Sequence, residues 1–335
     1  MKVVWVVEAI CLSGGVRVVV ECAEGLASRG HDVRIVTKDP GDGWIRTAVP
    51  VERVDTFEAG NFPEADVAIA TWFPTVVPTV RAARFRRVFH LCQGYEGLQS
   101  FLAPRLAEIE EAYAQPVPKI VVSPHLREML RERFPGPYHV LPPSVRADSF
   151  RPVPGRGERP ASPPSIGLLG PIEWEPKGIA VALAALGELR RRAFDFRLFR
   201  TSPLPLSDVE RSLLQPDRYD VSIRAADMPA WYHGLDLLLF APYPEGEGLG
   251  LPPLEAMAAG VPVVLTDVPS LRFVPEEAAS RVGPRHVARL ADAVEALLTD
   301  PALWARQRAA GLDFATTLRP ARALDALEEI LRGSG

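Results

Sequence analysis

Short runs of apolar and β-branched residues alternate along this chain with stretches whose apolar positions recur every three to four residues. In the first half the runs are KVVWVV (2–7), DVRIVT (32–37), DVAIAT (66–71), RVFHLC (87–92) and KIVVSP (119–124), and VRVVVECAEGLASRG (16–30) is the helical stretch between the first two. The runs are continuously apolar, so each predicts a strand buried on both faces, as in a parallel sheet covered by helices. The grammar restarts with SIGLLG (165–170), a helix at GIAVALAALGELRRR (178–192), and strands at DFRLFR (195–200), YDVSI (219–223), LDLLLFAP (235–242) and VPVVLTD (261–267). The final stretch, 302–333, predicts helices broken near Thr317–Pro320.

Between the two blocks lies RPVPGRGERPASPPS (151–165), too rich in proline and glycine to continue a helix or a central strand. The predicted organisation is a Rossmann-like domain at 1–152, a linker at 153–165, a second Rossmann-like domain at 166–316, and a C-terminal helix at 317–335 packing back toward the first domain. A length of 335 residues exceeds what one core usually supports, and a hydrophobic fraction of 47% supplies two.

Composition removes several function classes. A net charge of −4 lacks the basic excess that a nucleic-acid partner requires. Cys11, Cys22 and Cys92 form no CxxC pair and are expected to be buried, reduced thiols. The longest uncharged run, near VAIATWFPTVVPTV, is broken by two prolines and falls short of the roughly 20 residues that span a bilayer. The expected location is the cytoplasm, with peripheral contact to the membrane face weighed for Arg81, Arg84, Arg86 and Arg87.

The chemistry concentrates in EGEGLGLPPLEAMAAG (245–260). Pro252 and Pro253 suit the first turn of a helix, and Gly260 can supply its left-handed C-terminal cap. Glu255 is therefore expected in that first turn and Glu247 in the loop before it. Gly246, Gly248 and Gly250 leave the backbone bare, so N–H groups can approach an anion that the helix dipole favours. Two carboxylates can then take hydroxyls from two parts of one ligand with a phosphate between them, which is the layout of a nucleotide sugar.

EGEGLGLPPLEAMAAGVPVVLTDV resembles the E-x7-E signature of the retaining GT-B glycosyltransferases of family 4. The resemblance continues in SGGVRVVVECAEGLASRGHDVRIVT, in MPAWYHGLDLLLFAP and in LPPSVRADSFRP. It implies an α/β GT-B fold, two Rossmann-like doubly wound domains facing a deep interdomain cleft. It also implies metal-independent transfer of a sugar, with retention, from a UDP-, GDP- or dTDP-linked donor to a hydroxyl of a glycan, lipid-linked or small-molecule acceptor. Neither a cofactor nor a metal is implied. By the resemblance Glu255 holds the ribose, Glu247 holds hydroxyls of the donor sugar, and Lys177 with the N–H groups of Gly248, Leu249 and Gly250 stabilises the departing diphosphate. Gly14 and Gly15 would let the backbone approach the donor phosphate or acceptor, and Arg224 borders the expected base pocket at 218–224. Gln93 takes the strand end where the family has a reactive-site histidine, with Tyr95 and Glu96 beside it, while His90 is expected to be a satisfied, partly buried histidine.

One position departs from the family: Pro171 stands where an arginine binds the diphosphate. Lys177, backbone N–H groups, or Arg17, Arg200 or Arg224 would have to replace it. That loss keeps open a catalytically impaired relative that binds a nucleotide sugar or a partner, and, within the same fold, an epimerase or phosphorylase.

Overall fold

Parallel pairing organises both halves of the chain. The computed structural model describes residues 1–153, 160–244 and 248–333. Two units divide it: Met1–Pro143 with Ala321–Gly335, and Ser144–Pro320.

The first unit contains β1 (Lys2–Ala9), α1 (Gly14–Ser28), β2 (Asp32–Asp39), β3 (Val51–Arg53), β4 (Ala65–Ala70), α2 (Phe73–Arg81), β5 (Phe85–Cys92), α3 (Leu106–Ala114), β6 (Lys119–Val121), α4 (Pro124–Arg131) and β7 (Tyr138–Val140). Its seven strands run parallel in the order β3-β2-β1-β4-β5-β6-β7. In β1, Val3 to Val7 are all buried, which is why this run is apolar without alternation. The proline-broken apolar run divides between the end of β4 and α2, with Pro74 in the first turn of the helix and Pro78 inside it. Among the described residues no helix is long and apolar enough to cross a membrane.

The second unit contains α5 (Ala147–Phe150), β8 (Ser165–Leu169), α6 (Ile179–Arg191), β9 (Arg197–Ser202), α7 (Asp208–Leu213), β10 (Arg218–Val221), α8 (Met228–His233), β11 (Leu237–Phe240), α9 (Leu251–Ala258), β12 (Val263–Thr266), β13 (Ala279–Val282), α10 (Val287–Thr299) and α11 (Pro301–Thr317). Its parallel sheet runs β10-β9-β8-β11-β12-β13. One face packs on α6 and α10 through Leu183, Leu186, Leu290 and Val294, the other on α9 through Leu254 and Met257. Pro320 opens α12 (Pro320–Arg332), so the predicted helix break falls at Leu318–Arg319. Most of α12 belongs to the first unit, where Glu328 meets His31 at 2.7 Å and Leu324 packs on Gly25.

The division does not fall in the proline-rich stretch. Val145 and Phe150 already pack in the second unit's core, and the Val145 N–H donates to Leu318 O at 3.0 Å. The far end of the stretch is fastened by Asp236, which accepts from the N–H groups of Ala161 and Ser165 at 3.2 and 2.8 Å. Residues 154–159 of the expected linker lie outside the described residues. Cys22 and Cys92 are buried as expected, whereas Cys11 is exposed because it follows β1 into the loop beyond the sheet.

Candidate active site

In the second sheet the chain order reverses between β8 and β11, and ligands of open α/β sheets bind at the strand ends flanking such a reversal. After β8 the backbone turns at Gly170 (φ 115°) and passes Pro171. It then makes a 3-10 turn over Glu175–Lys177 and enters α6 through Gly178 (φ 67°). A Cβ on Gly178 would lie 1.7 Å from the Ala241 carbonyl oxygen, so only glycine lets this turn press against the end of β11. The Tyr243 N–H donates to Pro176 O at 2.8 Å. Lys177 is thereby held beside the loop that leads from β11 to α9.

That loop ends at Gly250 (φ 75°), the N-terminal cap of α9. Both α6 and α9 are capped at the amino end by a glycine, Gly178 and Gly250, which brings no capping side chain of its own. In α9, Pro252 and Pro253 also delete two N–H groups from the first turn. Gly248, Leu249 and Gly250 carry the backbone N–H groups of the segment that enters this helix. Glu247 lies outside the described residues.

Glu255 departs from its expected place. The helix begins at Leu251, so Glu255 stands in its second turn, only 2% exposed, with Oε2 accepting from Tyr232 Oη at 2.8 Å. A buried carboxylate fixed by a tyrosine presents one orientation to whatever approaches it.

Two arginines considered as substitutes for position 171 are committed elsewhere. Arg200 is fully buried: it pairs with Glu210 at 2.5 Å, and the guanidinium donates to Leu168 O at 2.8 Å and Gly170 O at 3.0 Å. Its donors hold the strand end from which the 170–178 loop springs and do not reach outward. Arg224 is exposed, follows the outermost strand β10 and pairs with Asp227 at 2.7 Å. Arg17 lies in the first unit, 3.8 Å from Glu21.

A cation that sequence reading passed over does reach this region. Arg285 follows β13, adopts a left-handed backbone (φ 64°), and stacks its guanidinium 4.0 Å over the Tyr243 ring. Since Tyr243 is bonded to Pro176, the stack adds a second positive group to the neighbourhood of Lys177. Nothing in GPRH (283–286) signals this, because the placement depends on how the strands are ordered.

The first unit gathers its own set at the ends of β1 and β5. Ser13 caps α1 by accepting from the Val16 N–H at 3.1 Å, Gly14 is exposed, and Gln93 Nε2 donates to Gly15 O at 3.1 Å. Gln93 and Gly15 are thus joined, a contact that nothing in the sequence signals. Two residues further, Tyr95 is buried, and Glu96 meets Tyr113 Oη at 2.5 Å. His90 is not the satisfied, partly buried histidine expected: it is fully buried, and neither ring nitrogen has a hydrogen-bond partner among the described residues. Burial, with the Lys119 charge second, pushes its pKa down to about 3, so the ring stays neutral. Among the described residues no group of three or more His, Cys, Asp or Glu is arranged to hold a metal ion.

Residues 163–300 match the family model of the glycosyl transferases group 1. The lipopolysaccharide core biosynthesis mannosyltransferase LpsB of Rhizobium meliloti (strain 1021) is 39% identical over 114 residues, which is 31% of this chain and 32% of that protein. A phosphatidyl-myo-inositol mannosyltransferase of Mycobacterium leprae (strain TN) is 30% identical over 200 residues, 58% of this chain and 53% of that one. The matches thus span about a third and about half of these two relatives. The structure of Anabaena HepE in complex with UDP-glucose superposes with a TM-score of 0.82 at 15% identity, covering 99% of this chain and 100% of that one.

Proposed function

From the premise that this chain has the GT-B fold and carries a glycosyl transferases group 1 domain at 163–300, we propose that it is a hexosyltransferase that moves a sugar from a nucleoside diphosphate sugar to a hydroxyl acceptor. The observation that carries this reading is the buried Glu255, clamped by Tyr232 in the helix that follows β11, with the Lys177 turn pressed against the end of that strand at Gly178. Two mannosyltransferases among the relatives and a UDP-glucose complex among the structures favour a mannosyl or glucosyl donor.

In this reading Glu255 accepts the ribose hydroxyls and Glu247 the hydroxyls of the transferred sugar. Lys177, Arg285 and the N–H groups of Gly248, Leu249 and Gly250 meet the charge that grows on the diphosphate as the glycosidic C–O bond breaks. These groups are already cationic or hydrogen-bond donating, so we propose that no metal is required and that a chelator leaves the rate unchanged. Retention follows if the acceptor attacks the face that the diphosphate leaves and passes its proton to a departing phosphate oxygen.

Thermal unfolding with UDP, GDP, dTDP and ADP, repeated on Glu255→Ala, tests the site. A nucleotide at about 100 times its dissociation constant adds roughly 2.7 kcal/mol to the native state. One nucleotide should stabilise the native chain and not the variant. Pro171 supports a second reading, a relative that binds without turnover. A nucleotide-induced shift without release of nucleoside diphosphate from UDP-glucose or GDP-mannose, with or without a saccharide acceptor, would favour it.

A further inference from the structure

Tyr113 Oη carries one proton and stands between two oxygens, Gly94 O at 2.8 Å and Glu96 Oε2 at 2.5 Å. If Glu96 were a carboxylate, both neighbours would be acceptors and one contact would be left without a hydrogen. Both are satisfied when the Glu96 carboxyl donates to Tyr113 Oη and Tyr113 donates to Gly94 O. We infer that Glu96 holds a proton in the folded protein and, through Tyr113 and Gly94, acts as the positioning residue for Gln93. The inference rests on the proposed function only in giving Gln93 a part in transfer.

The turn concerned is tightly built. Gly94 directly follows Gln93, whose side chain holds Gly15 at the start of α1. Residues 96–98 form a 3-10 turn, and a Cβ on Gly97 would lie 2.4 Å from the Tyr95 ring. Tyr113 is fully buried and packs edge-on against His90 and Tyr95, at 4.7 and 5.1 Å. Release of the Glu96 bond therefore loosens one end of a short segment whose other end sets Gln93.

Among the described residues, the ionisable groups around the carboxyl supply it with no compensating cation. Arg133 stacks on Tyr95 and pairs with Glu110 at 3.2 Å, and Arg105 pairs with Glu108 at 2.7 Å. Lys119 Nζ donates to Gln115 O and Pro135 O, at 3.1 and 2.6 Å. His90 stays neutral, and burial raises the Cys92, Tyr95 and Tyr113 pKa values, so none of these changes charge near neutrality. Although Glu96 as a residue is only half-buried, its carboxyl is enclosed, and burial raises its pKa to about 7 against the opposing bond from Tyr113. A carboxyl with a raised pKa contributes its stability in full below the ordinary value near 4.5 and loses it as pH rises through about 7.

The test needs no turnover. Infrared difference spectra between the native chain and Glu96→Gln should show a protonated carboxyl band at pH 6 that is gone at pH 8. The side-chain amide resonance of Gln93 should move with pH across that same interval in the native chain. It should stay still in Glu96→Gln, whose amide donates to Tyr113 at every pH, and in Tyr113→Phe, which cannot transmit the change. Absence of the band at pH 6 overturns the assignment of the proton. A titrating band with an unmoving Gln93 resonance overturns the positioning role. A chain that shows both signals yet turns over no donor would overturn the proposed function and leave this inference intact.

Discussion

The helices that follow β1 and β8, each an interior strand beside the reversal of chain order in its sheet, begin on opposite plans. α1 is closed by a capping side chain, with Ser13 Oγ taking the Val16 N–H, and the atoms nearest a Cβ on its Gly15 belong to the Gln93 amide, a movable group. α6 begins at a left-handed glycine with no capping side chain, and its backbone rests against the Ala241 carbonyl, which cannot move aside. A helix that satisfies its own amino end has little to offer an anion, whereas one left uncapped keeps donors for a ligand. Under the proposed function, phosphate contacts are expected at the second unit's strand ends. In the first unit, side-chain hydrogen bonds do the adjusting.

The comparison can be broken most forcefully at Arg200. Removing one member of a buried ion pair costs about 3–5 kcal/mol, so Arg200→Ala should lower urea stability by that amount, and Arg200→Met with Glu210→Leu should recover most of it. Retained stability with lost nucleotide binding would instead make Arg200 a ligand and erase the contrast. Next, Gly178→Ala should cost about 1–3 kcal/mol from the left-handed backbone alone and abolish the nucleotide-induced thermal shift. Gly15→Ala, facing only a side chain, should stay within about 0.5 kcal/mol of the native chain. Similar losses at both glycines would refute the difference in rigidity. Tyr232→Phe removes a bond to a buried carboxylate and should cost about 1.5–3 kcal/mol while weakening nucleotide binding; unchanged affinity would separate Glu255 from the donor. The smallest effect is expected for Ser13→Ala, about 1 kcal/mol, measured by denaturant unfolding, with no change in nucleotide binding.

What could be read from the sequence was what depends on local pattern. Continuous apolar runs revealed the central strands, Thr317–Pro320 revealed the break between α11 and α12, and Gly260 was recognised as the cap that ends α9, where its φ is 71°. Short outer strands such as VER (51–53) and YHV (138–140) escaped because three residues make no periodicity. Arg200, Arg224 and Arg285 look alike in a sequence, and only tertiary placement separates a buried brace, an exposed ion pair and a stacked cation. The proline-rich stretch looked like the linker between domains because composition predicts where regular structure stops, not where contacts stop. Asp236, more than 70 residues downstream of the residues it holds, decided that question.

The return of α12 to the first unit has a consequence for synthesis. All of the second unit, Ser144–Pro320, is translated before the segment carrying Leu324 and Glu328 exists. Domains generally fold as units while the chain emerges, so the later-encoded unit can be complete while the earlier one still exposes the surface around Gly25 and His31. A chain cut after Pro320 would therefore keep the whole of the second unit and lack the helix that completes the first.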